Sequence, residues 1–157
     1  VVVALLLILG LVFRDPLTDL MYRLGILRLD VNAELQKAED LRNEGSDTKA
    51  IASLEKTLQR ISNNKDKARV YVALGLTYYD SGNYAKAVEY LKKKREVLPD
   101  DRGDAVLLAR ALWHSGQKDE AKTYYQQAID DLKKKDLAGG DSEIKQLQLE
   151  LEQGPQE

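Results

Sequence analysis

The 157-residue chain has no cysteine, and it carries one histidine, one tryptophan, one methionine, one phenylalanine and three prolines. Without thiols there is no disulfide, no cysteine-based zinc site and no thiol catalysis. The redox compartment stays open, because a cysteine-free chain persists equally in oxidising and reducing surroundings. The lone imidazole, His114, has no second imidazole or thiol with which to share a metal or relay a proton. A glycine-rich phosphate loop is also missing, since Gly139-Gly140 lacks the strand and helix context such a loop needs. The carboxylate pairs Asp100-Asp101 and Asp130-Asp131 fall at expected helix ends, where capping and solvation account for them better than acid–base chemistry. No enzyme, cofactor or metal is expected.

An excess of charge of one sign is lacking too. The 24 Lys and Arg residues offset 26 Asp and Glu residues to a net charge of −2, so no field recruits nucleic acid. The runs Lys92 to Arg95 and Lys133 to Lys135 point around a helix axis instead of forming one patch, and read as solvated faces. No basic-aromatic platform accompanies them, so nucleic acid is not an expected partner.

Long apolar runs are confined to Val1–Phe13, which has no polar or charged side chain. A helix of that length rises roughly 20 Å, against a hydrocarbon core of about 30 Å. The expectation is a transmembrane anchor in contact with the lipid bilayer through residues 1–13, its start lying before Val1. A secretory signal is disfavoured by Arg14-Asp15-Pro16, where a cleavage site wants small residues. A buried core helix is disfavoured because a stripe with no polar face has no place in a small helical array. Residues 14–31 read as an amphipathic juxtamembrane helix and linker. Its stripe, Leu17, Leu20, Met21, Leu24 and Leu27, faces either the membrane interface or a partner subunit. The expected location is a single-pass membrane protein. Arg14, Arg23 and Arg28 lean towards a cytoplasmic domain, with a periplasmic or otherwise extracytoplasmic domain as the alternative.

Residues 32–135 are helical and repetitive. Ala50, Ala87 and Ala121 each follow a glycine, Gly45, Gly82 and Gly116, by five residues, at spacings of 37 and 34. Each glycine separates two amphipathic segments, where a chain reversal favours left-handed backbone. Three helical hairpins follow, at about 32–64, 68–101 and 102–135, with the three extra residues of the first interval placed in the Ser62 to Lys67 connection. Residues 136–157 form a loop, a last helix carrying Ile144, Leu147 and Leu151 on one face, and a tail ending the helix at Gly154-Pro155. A terminal helix of this kind covers an apolar face that no further repeat would cover.

The segment from Ala68 to Asp101 resembles a tetratricopeptide repeat: Tyr71 opens it, Leu74-Gly75 and Tyr78 follow, Ala87 is the small residue, Leu91 stands for the later aromatic, and Pro99 closes it. Lys94 departs from the small residue usual there, which implies looser packing. The next unit keeps Ala105, Leu108-Ala109, Leu112, Ala121, Tyr125 and Ala128; the earlier one keeps Ala38, Leu41, Gly45, Ala50 and Leu54. The fold class expected is therefore all-α: an N-terminal transmembrane helix, then a three-hairpin α-solenoid of tetratricopeptide type with a C-terminal capping helix.

The resemblance implies a concave face lined by the first helix of each hairpin. Its protein-binding positions would be Arg69, Val72, Leu76 and Tyr79 with Asp80 in the middle unit, Val106, Arg110, Trp113 and His114 in the third, and Asn32, Leu35, Glu39, Arg42 and Asn43 in the first. Tyr79, Arg110 and Trp113 are of the types most often found as interface anchors; the alternative for Trp113 is core packing under the last helix. The basic-amide set with which one subgroup clamps chaperone C-terminal carboxylates is missing, since Leu35, Glu39, Ala73, Gly103 and Leu107 occupy those sites. The function implied is a membrane-anchored protein-interaction scaffold, accessory subunit or assembly factor of a membrane protein complex. The alternative is a structural subunit that binds through its first two segments and leaves the groove idle.

Overall fold

The computed structural model of the chain describes residues 14–24, 29–135 and 140–156. They form α1 (Arg14–Arg23), α2 (Val31–Asn43), α3 (Asp47–Arg60), α4 (Asn64–Asp80), α5 (Tyr84–Val97), α6 (Ala105–His114), α7 (Lys118–Lys135) and α8 (Gly140–Gln153). Each helix from α2 onward packs on its sequence neighbours, α2 also touches α4, and α1 rests on α3.

The hairpins α2–α3, α4–α5 and α6–α7 reverse at the three expected glycines. Gly82 has φ +75° and closes α4 with two bonds, its own N–H donating to Tyr79 and that of Asn83 donating to Tyr78. Gly45 and Gly116 repeat the arrangement. The paired bonds satisfy carbonyls that the helix end leaves open, and a side chain in that left-handed geometry costs roughly 1–2 kcal/mol. The extra residues of the first interval do not form a longer connection. Asn63 accepts from the backbone N–H of Asp66 at 2.8 Å, so α4 begins at Asn64 and takes those residues in as an added turn.

Two apolar clusters run through the stack. Ala38, Ala50, Leu54, Val70 and Leu74 fill the first; Leu91, Leu108, Leu112, Tyr125, Ile129 and Leu147 fill the second. In the middle hairpin α4 and α5 meet at Gly75 and Leu91, so closely that a Cβ on Gly75 would stand 2.7 Å from Leu91 Cγ. Tyr78 stacks on Tyr90 with ring centroids 5.4 Å apart, and the Tyr90 hydroxyl donates to Glu55 of α3 at 3.2 Å. Tyr71 also meets Tyr90, with ring centroids 6.2 Å apart, and Ala87 and Leu91 are fully buried.

Lys94 does not loosen α5. Its side chain is 2% exposed, and Nζ donates to Asp104 Oδ1 at 2.6 Å and to the Asp101 carbonyl. Asp104 is itself buried and also lies 3.5 Å from Arg95 Nη2. Three charges thus join the second hairpin to the start of the third, and the run Lys92 to Arg95 is not the solvated face its sequence suggests. Lys92 pairs with Glu120 and Lys93 with Glu89 at the surface.

The expected membrane location is corrected. Among the described residues no helix is long and apolar enough to cross a membrane. Helix α1, the first described, has ten residues and spans about 15 Å, half a hydrocarbon core. The single-pass assignment and its lean to the cytoplasmic side fall with that finding; residues 1–13, on which the anchor was read, lie outside the described residues. Of the juxtamembrane stripe, Leu20 and Leu24 are exposed (47% and 64%) and Met21 is half-buried. Leu27 and the side chain of Leu17 lie outside what is described. Helix α1 is held to α3 by polar contacts: Arg60 Nε donates to Asp19 Oδ1 at 2.5 Å, and its guanidinium lies 5.2 Å from the Tyr22 ring centroid.

Candidate protein-binding groove

Helices α2 and α4 lie side by side, and side chains cross between them at both ends. At one end Arg69 Nη2 donates to Asn32 Oδ1 at 2.6 Å; at the other Arg42 Nη1 donates to Asp80 Oδ2 at 3.0 Å. All four are residues that the repeat pattern places on the concave face. They satisfy one another and leave an aliphatic stretch between them.

That stretch is a groove of about 450 Å³, lined by Leu35, Ala38, Val72, Ala73 and Leu76, with Leu98, Lys94 and Asp101 contributing where α5 ends. Leu35, Val72 and Leu76 are half-buried in the free chain, so a ligand laid along α4 would remove more of their surface from water. Glu39 and Lys65 stand at the rim.

The other expected binding residues are not gathered in this groove. Val106 lines a second cleft, of about 730 Å³, with Leu132 and Glu143. Tyr79 and Arg110 line a smaller one, of about 270 Å³, whose remaining wall is α8 and the tail: Gln146, Leu149, Glu150, Pro155 and Gln156. Arg110 holds Glu150 through two bonds, Nε to Oε2 at 2.8 Å and Nη2 to Oε1 at 2.7 Å. Trp113 packs against Gly154 and lies beneath the Lys118 ammonium, 5.1 Å from the ring centroid. His114 stacks on Tyr84 at 4.6 Å, with Tyr79 edge-on to both. Tyr79 and Arg110 thus share a cleft that Trp113 does not line, and the chain's own C-terminal segment lies over both Arg110 and Trp113.

Glu150 is a residue of this cleft that the apolar stripe of the last helix, Ile144, Leu147 and Leu151, does not single out. Its side chain is 5% exposed. Burial pushes its carboxyl upward, but the hydrogen bonds and charge of Arg110, with a further bond from Gln146, outweigh that and hold it below the ordinary value. The signal was its spacing, three residues after Leu147 and four before Gly154, which puts all three on one face. Burial raises the Tyr79 hydroxyl, Arg110 opposing and Tyr84 and Glu150 adding to it.

The groove is an aliphatic surface with paired polar side chains at its two ends. Among the described residues no group of three His, Asp or Glu side chains could hold a metal ion. Its chemistry is shape, aliphatic surface and a few fixed hydrogen-bonding groups.

Two tetratricopeptide repeat family models match the chain, one over residues 30–100 and the other over residues 78–148. No curated protein and no solved structure matches it.

Proposed function

The chain belongs to the tetratricopeptide repeat family, and on that premise we propose that it is a docking scaffold, an accessory subunit or assembly factor that holds a segment of another protein between α2 and α4. One observation carries this reading. The polar side chains at both ends of the groove are already paired, whereas the aliphatic side chains between them are not covered. Its volume of about 450 Å³ falls within the roughly 300–1,000 Å³ of ligand clefts. A partner would be held by apolar side chains set on Leu35, Val72 and Leu76.

A second reading is favoured by the exposed Leu20 on α1 and Leu24 just after it. In it the chain is a structural subunit whose contact runs through α1, and the groove is idle.

A photo-crosslinking amino acid at position 72 identifies the bound protein, and its affinity is then measured with purified components. Docking in the groove predicts that Leu76→Glu weakens binding at least tenfold while Leu20→Ser with Leu24→Ser changes nothing. The reverse pattern would establish the α1 reading.

A further inference from the structure

Helix α8 is the least embedded element of the repeat array. Of its described side chains only Leu147 and Glu150 are buried, with Ile144 and Leu151 half-buried, while Leu149 is 43% exposed. Elements with so little buried apolar surface are the ones that open locally, well before global unfolding. Beneath α8 lies a surface of a different quality. Arg110 presents a guanidinium fork shaped for a carboxylate, with Tyr79 lining the same cleft, and Trp113 presents its indole to Gly154. That surface makes a charge demand met by Glu150 and a shape demand met by Gly154, where the indole leaves no room for a side chain.

We propose that α8 and the tail are a resident, displaceable ligand of the third hairpin, and that the displacing partner is a helix of another protein carrying a glutamate followed four residues later by glycine. The glutamate takes the Arg110 fork and the glycine backbone lies on Trp113. Tyr79, Arg110 and Trp113 then form a second docking surface, closed in the free chain and opened when Glu150 leaves. The inference rests on the docking reading of the repeat array, and it involves residues other than those of the α2–α4 groove.

The test uses the full chain and, as probe, a fluorescein-labelled peptide of residues 140–156. Hydrogen exchange on the wild-type chain is expected to show α8 amides exchanging at least a hundredfold faster than those of α5. The peptide is expected to bind the Glu150→Gln chain at least tenfold more tightly than the wild type, because the resident segment competes less well. Adding Arg110→Gln should remove that gain. If Glu150→Gln does not fold, Gly154→Ala supports the same comparison. Exchange of α8 at the rate of α5, or equal peptide binding by both chains, overturns the proposal. So does a concentration-dependent dimer that trades α8 between copies while the monomer captures no peptide. Failure at Leu76 with success here would remove the α2–α4 groove alone, and the exchange measurement needs no partner.

Discussion

The backbone of Gly154 abuts the Trp113 indole: a Cβ added to it would come 2.3 Å from Nε1. Gly154 also has φ +93°, so a side chain is opposed by both the backbone and the neighbour. Position 154 therefore reports on whether the tail is seated.

Gly154→Ala should unseat the tail. Left-handed geometry alone costs an alanine roughly 1–2 kcal/mol, and the indole contact adds to it. Trp113 is the only tryptophan, so its emission reads the event directly and should shift to the red. Gly45→Ala is the control: φ is +72° with open space around it, so stability falls while the emission stays. An unshifted Gly154→Ala spectrum would show that the tail does not shield the indole.

Removing one partner of the buried pair should be severe. Lys94→Ala leaves Asp104 buried with Arg95 as its remaining cation, and the loss should be about 3 kcal/mol in urea unfolding. Replacing both, Lys94→Met with Asp104→Leu, should recover most of it, because the pair's attraction mainly offsets its own desolvation. A double variant as unstable as Lys94→Ala would mean that the pair does more than neutralise itself.

The contact between Gly75 and Leu91 should behave as a coupled site. Gly75→Ala overpacks it and should cost about 1–3 kcal/mol. Leu91→Ala should cost about 2–5 kcal/mol by opening a cavity. With Leu91 already truncated, Gly75→Ala should cost little or nothing. A thermodynamic cycle giving strict additivity would contradict the close approach of α4 and α5.

Stability should fall at both extremes of pH. The carboxyl of Glu150 is held below its ordinary 4.5 and that of Asp101 below 3.8, where the Gly103 N–H bond dominates. Their contribution is fully present above those ordinary values and is lost as pH falls through the lower folded-state ones. Burial, with Glu55 adding to it, pushes Tyr90 from 10.0 up to about 12, so the unfolded chain ionises first and stability declines between those two values. Melting temperatures across pH check both arms. Glu150→Gln should flatten the acid arm, and Tyr90→Phe the alkaline one.

The turns and helix pairs were legible in the sequence because they rest on local chemistry. A glycine between two amphipathic segments at Gly45, Gly82 and Gly116 states where the chain reverses, and Gly75 states where two helices touch. Lys94 and Glu150 were not legible, because each is a charge on an apolar face whose counter-ion, Asp104 for one and Arg110 for the other, arrives from the third hairpin. Spacing could have flagged both: Lys94 follows Leu91 by three residues, as Glu150 follows Leu147. The positions that the resemblance places on the concave face do not form one group. Arg69, Val72 and Leu76 line one groove, whereas Arg110 and Trp113 are covered by residues whose path back over α6 no local pattern dictates. The membrane reading rested on hydropathy alone, in residues that the described helices do not include.

The pairing of charges around the α2–α4 groove bears on how fast a partner arrives. Arg42 is matched by Asp80, Arg69 by Asp66 and Lys94 by Asp104; Glu39 and Lys65, of opposite sign, are the lining charges without an ion pair among the described residues. Such a groove projects almost no net field, so long-range steering contributes little and association proceeds at the ordinary roughly 10⁵–10⁷ M⁻¹s⁻¹ of unsteered docking. Raising the ionic strength should leave the on-rate nearly unchanged. Partners would then be told apart by how long they stay.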